Sequence, residues 1–367
     1  MTLTPFNNKE LLDNKQLPAL FPKSKQLILL LMVKVMLSWI ITLTIIPAAF
    51  AAERFSQTAE QLIAGQTMAV AYSGFRKGQH PDRGQGAINP SDDEILEDLT
   101  LLLEHNFTLI RLYDSGVNSA ATLKIIQQHK LPIKVLLGIW LDAEISNHKN
   151  CPWLDEPIPQ STLASNKIKN AIEIKRGIKL ATKFSNIVVA VNVGNEALVS
   201  WNDHMVPVNQ VIDYVKQVKQ RISQAVTVAD NYEWWISKGK ALAKEVDFIG
   251  VHTYPAWENK TIDQALSYTI ANISDVRQAL PNKPIAILEG GWATTGIEFG
   301  EQASEANQKQ YFDEIKQWTK ATNTTFFFFE AFDEPWKGNP DNLQGAEKHW
   351  GLFNVDRTPK RVMSKLD

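Results

Sequence analysis

The stretch IVVAVNVGNE, Ile187 to Glu196, decides how this chain is read. Its β-branched residues are stiff at χ1 and favour extended backbone, and an almost unbroken apolar run belongs to a strand covered on both faces. The run ends on a carboxylate. Before it, Asn166–Phe184 carries apolar residues at helical spacing; after it, Pro207–Ile222 does the same, with a proline suited to a first helical turn. Helix, buried strand and helix in succession form the repeating unit of a parallel sheet.

The same alternation extends in both directions. Strands are expected at Met68–Phe75, Phe107–Tyr113, Ile133–Leu141, Ile187–Glu196, Ala225–Asp230, Val246–Tyr254, Pro284–Glu289 and Thr325–Glu330. Helices are expected at Ser91–His105, Asn118–Lys130, Asn166–Phe184, Pro207–Ile222, Thr261–Leu280 and Ser304–Ala321. The first of these opens with Ser91 and Glu94, the spacing of a capping box. Eight strand–helix units predict an α/β fold of the closed (β/α)8 TIM-barrel type. An open doubly wound sheet shares the local pattern, but the loop Gly74-Phe75-Arg76-Lys77-Gly78-Gln79 lacks the G-x-G-x-x-G of a dinucleotide fold. Weak periodicity from Trp350 to Asp367 predicts a short or irregular closing helix.

Composition narrows the function classes. The 367 residues carry 38 Lys and Arg against 40 Asp and Glu, so no concentrated basic face is available for nucleic acid. The single cysteine, Cys151, excludes an intrachain disulfide and a cysteine-built zinc site, and it is expected to be inert or loosely exposed in a loop. Residues 27–50 are almost wholly apolar and run into Ala48-Ala49-Phe50-Ala51-Ala52, which suits signal peptidase. A targeting segment over 1–51, cleaved near Ala51, is therefore expected ahead of a catalytic domain at 52–367. Initiation at Met32 would give a more ordinary signal peptide. The competing reading is an uncleaved anchor, since the run is long enough to span a bilayer. With cleavage, the mature protein is expected to be secreted or periplasmic, without stable membrane insertion, and a monomer.

In a barrel, the C-terminal ends of the strands gather on the catalytic rim. Here they read Arg111-Leu112-Tyr113-Asp114, Gly194-Asn195-Glu196, His252-Thr253-Tyr254 and Glu289-Gly290-Gly291-Trp292, and the eighth strand runs into Glu330, Asp333, Glu334 and Trp336. Either glutamate alone, Glu196 or Glu289, reads equally well as a strand-end acid reaching solvent. As a pair on the fourth and seventh strands they supply what glycosidic cleavage requires, one carboxyl to protonate the departing oxygen and one to meet the oxocarbenium-like carbon. Their separation sets the stereochemistry and is not given by sequence.

Three segments together carry a family resemblance: Val193-Gly194-Asn195-Glu196, the turn Leu288-Glu289-Gly290-Gly291-Trp292, and FFFFEAFDEPWKGNPDNLQGAEKHWGLFNVDRTPK. Over about Met68 to Pro359 the chain resembles the family 17 glycoside hydrolases, β-1,3-glucanases and related glucosyltransferases, in their bacterial type. The resemblance implies Glu196 as acid/base, Glu289 as nucleophile, and Glu334 and Lys337 as supporting groups that orient the catalytic pair or the sugar. It also implies a retaining double displacement on laminarin-like β-1,3-glucan. A transglycosylase using the same glutamates and a non-catalytic carbohydrate-binding barrel are the alternatives.

On that reading Glu196 should be held protonated by burial and by Glu289, and Glu289 ionised by donors drawn from Arg111, Asn195 and Tyr254. Asn195 could instead hold a sugar 2-hydroxyl. Arg111 is either a structural ion pair or a substrate contact, and Tyr113 belongs to the same supporting set. His252, with no second histidine at ligand spacing, is expected to hydrogen-bond rather than bind metal. No metal or cofactor is required. Trp140, Trp234, Trp235, Trp257, Trp292 and Trp336 fall at or just past strand ends, where they either stack on sugar rings or cap the core; Trp292 and Trp336 are the foremost sugar contacts. The loops Gly74–Pro90 and Asp142–Ser165 are long enough to shape a cleft.

Overall fold

The structure, a computed structural model, describes residues 55–82 and 86–364. The apolar segment 27–50 and the expected cleavage site lie outside the described residues. Among the described residues, no helix is long and apolar enough to cross a membrane.

Eight parallel strands close into a barrel in chain order, β1 pairing with both β2 and β8. They are β1 (Met68–Ala71), β2 (Leu109–Arg111), β3 (Lys134–Ile139), β4 (Val188–Asn195), β5 (Ala225–Asn231), β6 (Ile249–His252), β7 (Ile285–Gly290) and β8 (Phe326–Phe328). Each lies within or close to its expected segment, and the expected (β/α)8 barrel is the observed fold. The crossovers carry α1 (Asp92–Glu104), α2 (Val117–Gln128), α3 (Gln160–Lys183), α4 (Val208–Lys219), α5 (Tyr232–Lys238), α6 (Lys240–Ala243), α7 (Ile262–Ala279) and α8 (Glu305–Thr322). The short pair α5 and α6 was not expected; neither segment is long enough to show several turns of helical periodicity. The Ser91–Glu94 capping box is present, Ser91 N–H donating to the Glu94 carboxylate at 2.8 Å.

Alternation along the strands divides the apolar residues into two cores. Ala69, Leu109, Leu136, Ala190, Ala229, Phe248, Ala286, Leu288 and Phe327 fill the barrel, with Ile63 among them. Their neighbours, such as Val70, Ile110, Val135, Val191, Ile249 and Ile287, pack in the larger cluster with the helices. A β-strand must present its two faces this way because successive side chains point oppositely. Cys151 is buried at 4% exposure, which removes the loosely exposed alternative.

After β8 the described chain forms no α-helix; an extended segment with one short 3-10 turn, Ala346–Lys348, takes its place. Two buried ion pairs fix this segment. Arg357 donates from Nε and Nη2 to the two oxygens of Asp98 on α1, both at 2.7 Å, and Lys360 Nζ meets Asp333 Oδ1 at 2.6 Å. Asp98 and Lys360 are almost wholly buried, so the partners compensate charges that water no longer solvates. Replacing Arg357 by methionine takes both close donors from buried Asp98 and leaves it only Arg76 at 2.9 Å and the Tyr72 hydroxyl at 3.4 Å, so a loss of about 1–3 kcal/mol is expected, read as a lower midpoint in urea unfolding.

Candidate active site

The catalytic rim is built from residues that alternation aims inward and from others that strand irregularities redirect. Leu109 faces the barrel interior, so Arg111, two residues on, does too; Phe248 likewise sets His252 inward. Glu289 follows the opposite parity, that of Ile285 and Ile287, which face the helices. The β6–β7 and β7–β8 registers shift between Val251 and His252 and between Ile287 and Gly290, and the carboxylate turns into the mouth. On β4 the register to β5 shifts between Asn192 and Asn195, Gly194 takes φ 83°, and Glu196 itself sits at φ 49°. A left-handed conformation is natural for Gly194 and strained for Glu196, which is held there by its N–H bond to Ala229 O at 2.9 Å.

Arg111 lies at the centre, with no exposed surface. Its Nη1 donates to Glu289 Oε1 at 2.9 Å and to Leu288 O at 2.8 Å and faces His252 Nε2 at 3.2 Å; its Nη2 donates to Asn195 Oδ1 at 2.5 Å. Nη1 has two protons, which Glu289 Oε1 and Leu288 O take at the shorter distances, and His252 Nε2 lies alongside. Nδ1 in turn lies 2.9 Å from Glu196 Oε1 and 3.4 Å from Glu289 Oε2. Tyr254 Oη donates to Glu289 Oε2 at 2.7 Å, and the Tyr113 ring lies beneath the Arg111 guanidinium, 4.6 Å from it, with its hydroxyl close enough to favour the charged form of Glu289.

Burial works against a charge on Glu289, but His252, Arg111 and the hydroxyls of Tyr254 and Tyr113 outweigh it and hold the carboxyl below the ordinary glutamate range. Burial and the neighbouring Glu289 charge push both tyrosines well above their usual range, so they remain donors. Glu196 is more open, its side chain 22% exposed against 7% for Glu289. One ligand-type atom from each of Glu196, His252 and Glu289 lies within 4.8 Å of the others, the one such group among the described residues. These atoms could hold a cation, but Arg111 already supplies positive charge to the same carboxylate.

Asn195 accepts from Arg111 rather than donating to Glu289, which leaves its amide nitrogen for a sugar hydroxyl. Glu334 and Lys337 do not bond to the paired glutamates. Lys337 Nζ bridges Glu330 at 2.6 Å and Glu334 at 2.8 Å, and Glu334 hydrogen-bonds Ser73. Burial and Glu334 raise the Glu330 carboxyl well above its usual range; burial lowers Lys337, yet the two carboxylates reverse this and raise it. Ser73 was not singled out in the sequence, and Glu330 was only one of several acids after β8. Another missed acid, Glu347, has its carboxyl raised by burial, although Lys337 opposes this; Glu196 and Glu289 are near enough to add to the rise.

The tryptophans separate clearly. Trp292, expected to stack on sugar, is 1% exposed, its indole N–H bonded to Gln302 O at 2.7 Å, so no face is available. The strand end told its position but not its rotamer. Trp234 and Trp235 are buried on α5, and Trp235 bonds Gly250 O. Trp336 is partly exposed against Phe75, Trp140 is partly exposed beside His204, and Trp257 is 43% exposed.

A family model described as the BtgE/BtgC glycoside hydrolase domain matches residues 69–351. A glucan 1,3-beta-glucosidase of Arthroderma benhamiae is 27% identical over 280 residues, covering 72% of this chain and 82% of that protein. A probable beta-glucosidase btgE of Aspergillus flavus is 25% identical over 80% of this chain, which spans only 43% of that longer protein. Among solved structures, an endo-laminarinase from Formosa Hel1_33_131 is 28% identical with a TM-score of 0.70, covering 84% of this chain and 88% of its own. A glycoside hydrolase family 17 beta-1,3-glucanosyltransferase from Rhizomucor miehei, at 22% identity, shares the fold with a TM-score of 0.60 over 84% of this chain and 98% of its own.

Gly194→Ala tests the local geometry. A Cβ there meets Leu141 Cδ1 at 3.1 Å in a left-handed conformation, and the expected loss is roughly 1–2 kcal/mol in thermal or urea unfolding. Gly194→Asn, whose side chain tolerates that conformation better, should lose less.

Proposed function

We propose, from the premise that this chain belongs to the BtgE/BtgC glycoside hydrolase family, that it is a retaining β-1,3-glucanase acting on laminarin-like β-1,3-glucan. The chain is an O-glycosyl hydrolase; the linkage and stereochemistry rest on two supports. The first and decisive one is the approach of the Glu196 and Glu289 carboxylates, whose ligand atoms lie within 4.8 Å. That spacing suits a nucleophile and a proton donor on one anomeric centre, whereas inversion needs about 6.5–9.5 Å to admit a water between them. The second is likeness to the β-1,3-glucan enzymes of Arthroderma and Formosa. Within the family we propose the bacterial type, on greater likeness to the Formosa enzyme than to the Rhizomucor one.

On this reading Glu289 attacks the anomeric carbon as Glu196 gives its proton to the bridging oxygen. The C–O bond to the leaving sugar breaks, and the glycosyl group is held as an ester on Glu289. Water then enters, gives a proton back to Glu196, and releases Glu289 with net retention. Arg111, Tyr113 and Tyr254 keep the nucleophile ionised and oriented. With His252 donating from Nδ1 to Glu196 Oε1, the acidic proton is directed onto Oε2, toward substrate. Lys337, Glu330, Glu334 and Ser73 form the rim wall beyond. Transfer to an acceptor sugar uses the same ester and is the second reading. It is supported by the shared fold with the Rhizomucor glucanosyltransferase.

We extend the proposal to an exported monomer in which residues 52–367 form the catalytic domain behind a cleaved segment 1–51. The apolar run and its small-residue end support export. The completion of the site from one chain's own residues supports the monomer.

Glu289→Gln should abolish release of reducing ends from laminarin while retaining measurable oligosaccharide binding by calorimetry; unchanged turnover would sink the assignment. Glu196→Gln should lower kcat on unactivated glucan about 10²–10⁴-fold. A panel of β-1,3, β-1,4, β-1,6 and mixed-linkage glucans decides the linkage. NMR of the first product should give the β-anomer, and an α-anomer would exclude retention.

The pH profile carries an independent check. Because Glu289 is held below its ordinary value, its ionised form persists into acid. Arg111→Met removes one cause, lets burial dominate, and should move the acidic limb of kcat/KM to higher pH. A limb that stays in place would contradict the role given to Arg111.

A further inference from the structure

Two indoles that the mechanism does not use stand in water on the loops after β3 and β4. Trp153 is 57% exposed and Trp201 is 36% exposed. An exposed indole face offers a flat apolar surface that a ligand can cover.

Both loops are held rigidly. Asn147, itself buried, donates from Nδ2 to Ser200 O at 2.7 Å and to Asn202 O at 2.5 Å, gripping the backbone on either side of Trp201. The N–H groups of Glu144 and Ile145 both reach Met205 O, at 3.0 and 3.2 Å. Trp153 hydrogen-bonds the Asp203 carboxylate, which meets His204 Nδ1 at 3.0 Å. His204 Nε2 lies 2.8 Å from Asn195 O, and Asn202 Nδ2 donates to Glu196 O at 3.3 Å. The chain of contacts thus runs from the exposed indole to the backbone of the proton-donating glutamate. Trp140 packs on His204 from the other side, with ring centroids 4.5 Å apart.

We infer that Trp153 and Trp201 form an aromatic subsite for the glucosyl units on the far side of the bridging oxygen, the leaving group in cleavage and the acceptor in transfer. This inference rests on the β-glucanase reading above. On that reading Glu196 is the group that meets the bridging oxygen, and the Trp153 indole and the backbone flanking Trp201 are tied to its strand end, so the sugars beyond that oxygen are the ones the loops can meet. Flat apolar pyranose faces suit an indole, while the indole N–H of Trp153 stays committed to Asp203.

The test compares the wild type with Trp153→Ala and Trp201→Ala, each checked for an unchanged thermal midpoint, using laminarioligosaccharides of graded length with product analysis by chromatography. The expected result is a fall of about fivefold or more in the ratio of elongated to hydrolysed products at fixed oligosaccharide concentration, equivalent to about 1 kcal/mol at the acceptor. Trp153→Phe and Trp201→Phe, which keep an aromatic face, should recover part of it. A ratio unchanged in both alanine variants overturns the inference. So does a loss confined to KM for longer donors with the ratio intact, because that places the platform on the other side of the bond. Failure of the wild type to cleave or elongate any β-1,3-glucan would instead overturn the β-glucanase reading.

Discussion

A cation buried in the mouth of a closed barrel is the constraint on which the site depends. Arg111 has no water to solvate it, so its terminal nitrogens must find acceptors or incur a desolvation cost of several kcal/mol, while Nε has no hydrogen-bond partner. The acceptors come from β4 and β7, namely Asn195, Leu288 O and Glu289, and His252 of β6 lies alongside. One side chain on β2 therefore sets the relative position of three other strand ends. It also keeps the buried carboxylate charged. Barrel closure and site chemistry share the same atoms, and neither can relax without the other.

Much of this was legible in the sequence, and the reasons for the remainder are specific. Alternation of β-branched and helical runs sufficed for the barrel, because each strand is covered on both faces and reads as an apolar block. Arg111 and His252 follow strand parity. Glu289 does not; its parity points to the helices, and only the register shifts beside it turn it inward. The clue that it mattered was chemical, a carboxylate where an apolar strand has no use for one. Trp292 shows the converse, since proximity to the strand end was right and the direction of the ring was not. Trp153 lies in a loop with no periodicity, and nothing in its neighbours' identities announces the bond to Asp203.

The segment after β8 carries a second concentration of charge. Glu330, Glu334 and Lys337 form a buried triad next to Ser73 on the opposite side of the β8–β1 seam, while Asp333 and Arg357 anchor the chain beyond through Lys360 and Asp98. In place of an α-helix after β8, the fold uses ion pairs to hold the last wall of the cleft. Such a wall derives its firmness from desolvated charges of opposite sign, which are costly to separate and leave little freedom for the rim groups between them.

The proximity of the Glu196 and Glu289 carboxylates has a consequence for timing. If the pair acts as proposed, so little space lies between them that no attacking molecule is present while the first sugar fragment is still in place, and the two half-reactions are separated in time. On the proposed mechanism, the energy of the original linkage is stored between them in an ester to Glu289. What becomes of it is a race between the lifetime of that ester and the exchange of whatever occupies the vacated place. A fragment that lingers there returns the chain to its starting length, a second sugar chain extends it, and only an empty, wetted position spends the bond on water. The partition of products is thus governed by residence times on the Glu196 side of the cleft.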